Sequence, residues 1–358
     1  MWNNTSRLLA VDRITCFLRY QSMTVADIET LTEVSIATSI VNSLTMILAL
    51  VANGLVIVAV WTSRALHSPS NILVSCLAVT DLLTGLITQP LFILSHIARI
   101  KGLRDFYCYT TLGFSISVAI SSITSFLLFS VVSVNRFLVL HLHLRYKELV
   151  TNRRVIFVVV CCWIMCIVEA SFTITYGFYE IHFEILVMIL TIGVAVTVTA
   201  YMKIFFVIRK YEKKSHVEQK LLLRLCENAE KGGKITSNDF IKQWKVSRTM
   251  AFISALFLLC YIPYIGVLVA NVVYIKQITS RVSLKIAGNV TLTIVLGNSA
   301  ANPFLYLHRM RDIRKAVLHL LQKWRMVKRY SRTERSLFTE RKETVPKSFK
   351  IEKITAKV

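Results

Sequence analysis

Charged residues are scarce in this chain. Only 18% of its 358 residues are Asp, Glu, Lys or Arg, while 54% are hydrophobic; soluble domains carry about a quarter charged residues. Apolar surface on that scale excludes disorder over most of the length. Cysteine is sparse too, at eight residues that mostly sit inside apolar runs, which excludes a small secreted disulfide scaffold. Acidic residues are outnumbered 20 to 43 by basic ones, giving a net charge of +23. Nucleic-acid binders share such a balance but not this apolarity. HExxH and GxSxG are both missing, so neither a zinc protease nor a serine hydrolase embedded in the membrane is indicated. Proline is rare, and none occurs between Pro90 and Pro263. No internal repeat is evident, which weakens an inverted-repeat transporter.

What is abundant is long apolar runs. A bilayer core needs about 20 mostly apolar residues per helix. Seven segments qualify: Val34–Trp61, Asn71–Ile97, Tyr107–Leu140, Val155–Tyr176, Glu180–Ile208, Thr249–Tyr274 and Leu284–Leu307. Each is too long for a strand, and the alternation of a membrane barrel is absent. The first residues lack the basic start and apolar core of a signal peptide, so the first span is expected to act as the anchor. The expected fold is an all-α bundle of seven transmembrane helices.

The cations orient it. Thr62–Ser70, Arg136–Arg154, Lys203–Arg248 and His308–Val358 carry +1, +4, +7 and +11, together the whole net charge. Basic segments mark the cytoplasmic side, so the N-terminus is expected outside and the C-terminus inside. The charge then reflects topology and favours anionic lipid head groups, not nucleic acid.

Ionisable groups at bilayer depth cost several kcal/mol without partners, which makes each a functional candidate. Asp81 stands about ten residues into span two, with Asn53 in span one, Ser125 in span three and Asn298, Ser299 and Asn302 in span seven. These oxygens suit a small cation or a proton site. A hydrogen-bonded knot that only ties helices together fits the spacing equally well. Glu169, His182 and Glu184 lie near the outer ends of spans four and five, either as interfacial side chains or as an acidic patch facing a ligand.

These segments also carry a series of motifs in fixed order. Asn53-Gly54-Leu55-Val56 is in span one, and Leu77-Ala78-Val79-Thr80-Asp81 with Pro90 in span two. Asn135-Arg136-Phe137 ends span three, before Leu144-Arg145-Tyr146 through Val150-Thr151. Trp163 is in span four, Tyr201 in span five and Phe257-Leu258-Leu259-Cys260-Tyr261-Ile262-Pro263 in span six. Asn298-Ser299 and Asn302-Pro303-Phe304-Leu305-Tyr306 close span seven, ahead of a basic amphipathic stretch, Met310–Gln322. In this order, one per span, they resemble the rhodopsin-like (class A) G-protein-coupled receptors over about Val34–Leu321.

The resemblance implies a receptor that catalyses nothing itself. Residues 34–308 would form the transmembrane domain, 1–33 an extracellular tail, 309–323 a membrane-surface helix and 324–358 a basic cytoplasmic tail. Arg136, flanked by Asn135 and Phe137, would reach toward a heterotrimeric G protein or Tyr201 when span six swings outward. Pro263 and Pro303 remove backbone hydrogen bonds and supply hinges, with Tyr306 completing the inner motif. Asp81, Ser125, Asn298, Ser299 and Asn302 read as the family's sodium pocket, sodium being an allosteric ligand and not a cofactor.

Departures from the family pattern narrow the expectation. Asn135 stands where the family has a carboxylate, which leaves Arg136 a hydrogen bond in place of an ionic restraint. The start of span six, Lys242–Lys245, offers no acid either, so elevated agonist-free signalling is expected, charge-assisted bonds being the stronger kind. Tyr261 replaces the usual tryptophan and Gly193 the usual proline of span five. The second outer loop, around Tyr176–Tyr179, is very short and lacks cysteine, similar to the melanocortin-like branch; Cys108 lies three residues before the family position, and a Cys16–Cys108 bridge is one option. Val118 stands where amine receptors have an aspartate. Ligand-facing candidates by position are Val118 and Ser122 in span three, Tyr261, Tyr264, Ile265 and Leu268 in span six, and Leu292 and Leu296 in span seven. That apolar lining with a few hydroxyls suits a lipid or weakly polar small molecule, a peptide read by the outer loops or a seven-helix channel or transporter being the alternatives.

Asn3 and Asn4 begin overlapping glycosylation sequons on the expected outer side, as befits a plasma-membrane protein. Asn289-Val290-Thr291 also matches but lies at the mouth of span seven. Ser331, Thr333, Ser336, Thr339, Thr344 and Ser348 among basic residues suit receptor kinases and then arrestin, a weak signal in any Ser-rich basic tail.

Overall fold

The computed structural model describes residues 25–142, 145–176, 179–225, 259–271, 273 and 282–324. The tails with Asn3, Asn4, Cys16 and the phosphorylation candidates, and most of the third inner loop, lie outside the described residues.

Among the described residues six helices are long and apolar enough to cross a membrane, and a shorter apolar helix, Leu259–Asn271, represents span six. Span one is Val25–Thr62, span three Arg104–Leu142, span four Asn152–Tyr176, span five Tyr179–Leu225 and span seven Val282–Arg309. Span two is built from Pro69–Leu83, a π-helical turn over Thr84–Thr88, and Gln89–Ile100. A further helix covers residues 311–324. Among the described residues no strand occurs. The chain is a multi-pass, all-α membrane protein.

Burial runs opposite to that of a soluble bundle. On span one Ile36, Ile40, Leu44, Ile47 and Val51 are exposed, whereas Ser35, Thr38, Asn42 and Asn53 are buried. Lipid tails give apolar side chains no reason to turn inward, so small and polar residues make the helix contacts. Ala49, Ala52, Val56 and Ala59 allow close approach. Asn53 donates from Nδ2 to the Ser299 carbonyl at 3.0 Å, and Asn42 donates to Thr293 Oγ1 at 3.0 Å. Both bonds tie span one to span seven.

Local signals set the ends and the bend of span two. Ser68 caps it, its Oγ accepting the Asn71 N–H at 3.4 Å, and Pro69 opens it, where a missing N–H leaves nothing unpaired. At its outer end Gly102 has φ +67°. The Gly102 N–H donates to the Arg99 carbonyl and the Leu103 N–H to the Ala98 carbonyl, the two-bond stop that a left-handed glycine permits. Pro90 cannot donate within the helix, and the π turn ends two residues before it, at Thr88. Such a turn adds one residue and rotates everything beyond it relative to an uninterrupted helix.

Gly193 has a clear structural reason. A Cβ built there would overlap the Phe126 ring of span three, with Cδ1 at 3.0 Å. Ser130 Oγ donates to the Gly193 carbonyl at 3.4 Å and Thr197 Oγ1 to Ser130 Oγ at 3.1 Å. Spans three and five are therefore in backbone-to-ring contact where the family pattern has a proline.

Candidate receptor core and inner switch

Asp81 is 1% exposed, and two donors compensate its burial. Asn302 Nδ2 donates to Oδ2 at 2.8 Å and Ser125 Oγ to Oδ1 at 3.3 Å. Beside the carboxylate is a cavity of ≈ 10 Å³, lined also by Thr84, Ser122, Tyr261, Val295, Asn298 and Ser299. That is about the room of one water-sized occupant. All five residues expected to surround a cation are thus together at the cavity. Ser122 Oγ, Asn302 Oδ1 and Asn298 Nδ2 are buried with no hydrogen-bond partner. Two unused oxygens beside a carboxylate suit a small hard cation. Asn53 does not line the cavity; it is taken up by the helix contact to span seven.

The eight expected ligand-facing residues divide into three groups. Ser122 and Tyr261 belong to the Asp81 cavity, and the Tyr261 hydroxyl donates to the Ser122 carbonyl at 3.4 Å. The Tyr261 ring also packs on Phe126, centroids 5.1 Å apart, so it joins the cavity to the contact at Gly193. Val118, Tyr264, Leu292 and Leu296 form one apolar cluster with Phe92 and Phe114. Ile265 and Leu268 pack in the main core.

Phe92 and Phe114, 5.2 Å apart between ring centroids, were not in the expected lining, nor was His96, whose ring packs 4.2 Å from Phe92. His96 Nδ1 lies 3.4 Å from the Ser35 carbonyl. Arg99 donates to the Leu31 carbonyl and to Ser35 Oγ, joining spans two and one at their outer ends. A buried Gln89 donates to Thr45 Oγ1 at 2.9 Å and to Asn42 Oδ1 at 3.4 Å. Of the outer acidic candidates, Glu184 is exposed and Glu169 half-buried; the side chain of His182 lies outside the described residues.

At the inner end the expected hydrogen bond from Asn135 to Arg136 is not made. Asn135 Nδ2 donates instead to Ser70 Oγ at 2.9 Å, and its Oδ1 accepts the Tyr146 hydroxyl at 2.9 Å. An uncharged amide is satisfied by neutral neighbours from span two and the inner loop, and nothing draws it toward the guanidinium. Arg136 is 7% exposed, and its Nε and Nη2 are buried without a hydrogen-bond partner. Phe137 stacks on His141, and Lys203 Nζ of span five lies 5.7 Å from the Phe137 ring centre, within cation–π range. Tyr306 and Pro303 are buried, Tyr201 is half-buried and Pro263 is exposed. Cys108 is disulfide-bonded, while Cys76, Cys161, Cys162, Cys166 and Cys260 are free.

This arrangement of helices, buried carboxylate and inner arginine is that of a receptor. The family profile of the 7 transmembrane receptor (rhodopsin family) matches residues 52–182 and 166–306, and the chain belongs to that family. The adenosine receptor A2a of Canis lupus familiaris is 22% identical to it over 316 residues, which cover 77% of this chain and 70% of that receptor.

Proposed function

We propose that the protein is a plasma-membrane receptor, N-terminus outside, that converts binding of a weakly polar small molecule or lipid into activation of a heterotrimeric G protein, with substantial signalling in the absence of agonist. The observation that carries the basal activity is Arg136. Its neighbour Asn135 is held by Ser70 and Tyr146, and two of its own nitrogens are buried without acceptors. A buried cation lacking hydrogen-bond acceptors raises the energy of the resting state relative to one that presents it to a partner's acceptors. The equilibrium between the two states shifts accordingly.

The apolar cluster of Val118, Tyr264, Leu292 and Leu296 with Phe92 and Phe114 supports the ligand class. Binding would part these side chains. The relative named for adenosine puts nucleosides in the same screen. Around Asp81 the fit of one carboxylate, two unused oxygens and a cavity of ≈ 10 Å³ supports sodium as a ligand that stabilises the resting state. On the outer side Cys16 is the partner we assign to Cys108, the cysteine that is disulfide-bonded.

The test is agonist-free activation across a panel of G-protein families, comparing the native receptor with Arg136→Ala at equal surface expression. Basal activity that disappears in the variant is expected and names the partner. Equal activity in the two would overturn the role given to Arg136.

A further inference from the structure

Spans two and seven each carry a polar side chain that the reading above leaves unused, at the outer edge of the apolar cluster. On span two His96 lies one turn outward of Phe92. On span seven Asn289 lies about one turn outward of Leu292, and Leu296 one turn inward of it. Phe92, Leu292 and Leu296 pack in one cluster, so His96 and Asn289 stand in the layer directly above it. The His96 ring rests on Phe92, centroids 4.2 Å apart.

His96 is buried, 5% exposed. A neutral imidazole has one donor and one acceptor, and the bond made by one nitrogen fixes the role of the other. The Ser35 carbonyl, 3.4 Å from Nδ1, can only accept. Nδ1 therefore carries the proton, and Nε2 is left as an acceptor. The two nitrogens lie on opposite sides of the ring, so Nε2 faces away from span one. Among the described residues no hydrogen bond reaches it. Asn289 supplies the complement, since its Nδ2 is buried and has no partner. An acceptor and a donor left over in one buried layer each cost desolvation. A single group that both donates and accepts relieves the two together. A hydroxyl or a primary amide does this; an ether or a carboxylate has no donor to offer.

We propose that the ligand is a neutral amphiphile whose hydroxyl or amide head donates to His96 Nε2 and accepts from Asn289 Nδ2, its apolar body lying against Phe92, Leu292 and Leu296. This rests on the reading of the chain as a receptor for a lipid or weakly polar ligand, and it adds the chemistry of the head group. His96 selects for a donor, and Asn289 strengthens any head with an acceptor. Span one takes part without touching the ligand, because the Ser35 carbonyl holds the imidazole in the tautomer that accepts.

The test uses the full-length receptor purified in detergent, reading the thermal unfolding midpoint against oleyl alcohol, its methyl ether, oleamide and oleate. Saturable stabilisation by the alcohol and by oleamide is expected, with the ether and oleate weaker by at least about tenfold, equivalent to about 1.4 kcal/mol. His96→Asn places an amide N–H near the Ser35 carbonyl but no acceptor where Nε2 stands, so the alcohol should fall to the level of the ether. His96→Gln keeps an acceptor there and should keep the preference; a histidine that only ties span two to span one would give the reverse order. Asn289→Leu should weaken alcohol and ether alike, several-fold, and leave their ratio unchanged. Residual binding of the ether checks that each variant still folds. Ether or oleate matching the alcohol on the native protein overturns the head-group assignment and leaves the apolar site standing. An unchanged ratio of alcohol to ether in His96→Asn overturns it as well. No shift from any of the four overturns both this proposal and the ligand class it rests on.

Discussion

Replacing Gly193 by alanine tests the contact between spans three and five. The added methyl overlaps the Phe126 ring, whose Cδ1 and Cζ lie 3.0 and 3.2 Å from the position it would take. Phe126 cannot simply move, because it is 1% exposed and its ring also packs on Tyr261, with centroids 5.1 Å apart. Overfilling a packed interior costs about 1–3 kcal/mol, offset in part by the roughly 1 kcal/mol that alanine gains over glycine within a helix. A net loss of up to about 2 kcal/mol lowers the unfolding midpoint by a few degrees, and thermal unfolding of the purified receptor reads it. Phe126→Leu removes the ring edge, so the double variant should recover much of the loss, a coupling that a mutant cycle isolates. Gly193→Ala at or above the native midpoint, or losses that simply add, would refute this reasoning.

Three further outcomes follow from the same geometry. Replacing sodium by choline should raise agonist-free nucleotide exchange in the native receptor, and Asp81→Asn should abolish that dependence, since the cavity then has no carboxylate. Gln89→Leu strips Asn42 Oδ1 and Thr45 Oγ1 of a buried donor and should destabilise by about 1–3 kcal/mol, measured as a lower unfolding midpoint. Asn289→Gln should leave the electrophoretic shift on glycosidase treatment unchanged, because its Nδ2 is already buried, whereas replacing Asn3 and Asn4 together should remove that shift.

The spans were readable because each needs about 20 apolar residues whatever its neighbours do. Asp81 was readable because a carboxylate at that depth demands partners, and Ser125 and Asn302 are among them. Phe92 and His96 were not. Both follow the π turn over Thr84–Thr88, which rotates them relative to positions counted along a regular helix. Gln89 and Asn42 carry no charge, and an uncharged amide within a span gives no sign of which helix it binds. The Phe126 contact was hidden for a different reason: glycine announces only that a side chain is missing, not what fills the space. Asn135 was assigned to its neighbour in sequence, yet its partners Ser70 and Tyr146 come from span two and the inner loop.

The most direct test restores the missing charge at Asn135. In Asn135→Asp the Ser70 and Tyr146 hydroxyls can both donate to the carboxylate, while a negative charge now stands beside Arg136. Agonist-free nucleotide exchange on purified G protein should fall about tenfold relative to the native receptor, the equivalent of ~1.4 kcal/mol in favour of the resting state. Basal exchange unchanged or raised in Asn135→Asp would contradict the claim that an unrestrained Arg136 sets the activity of this receptor.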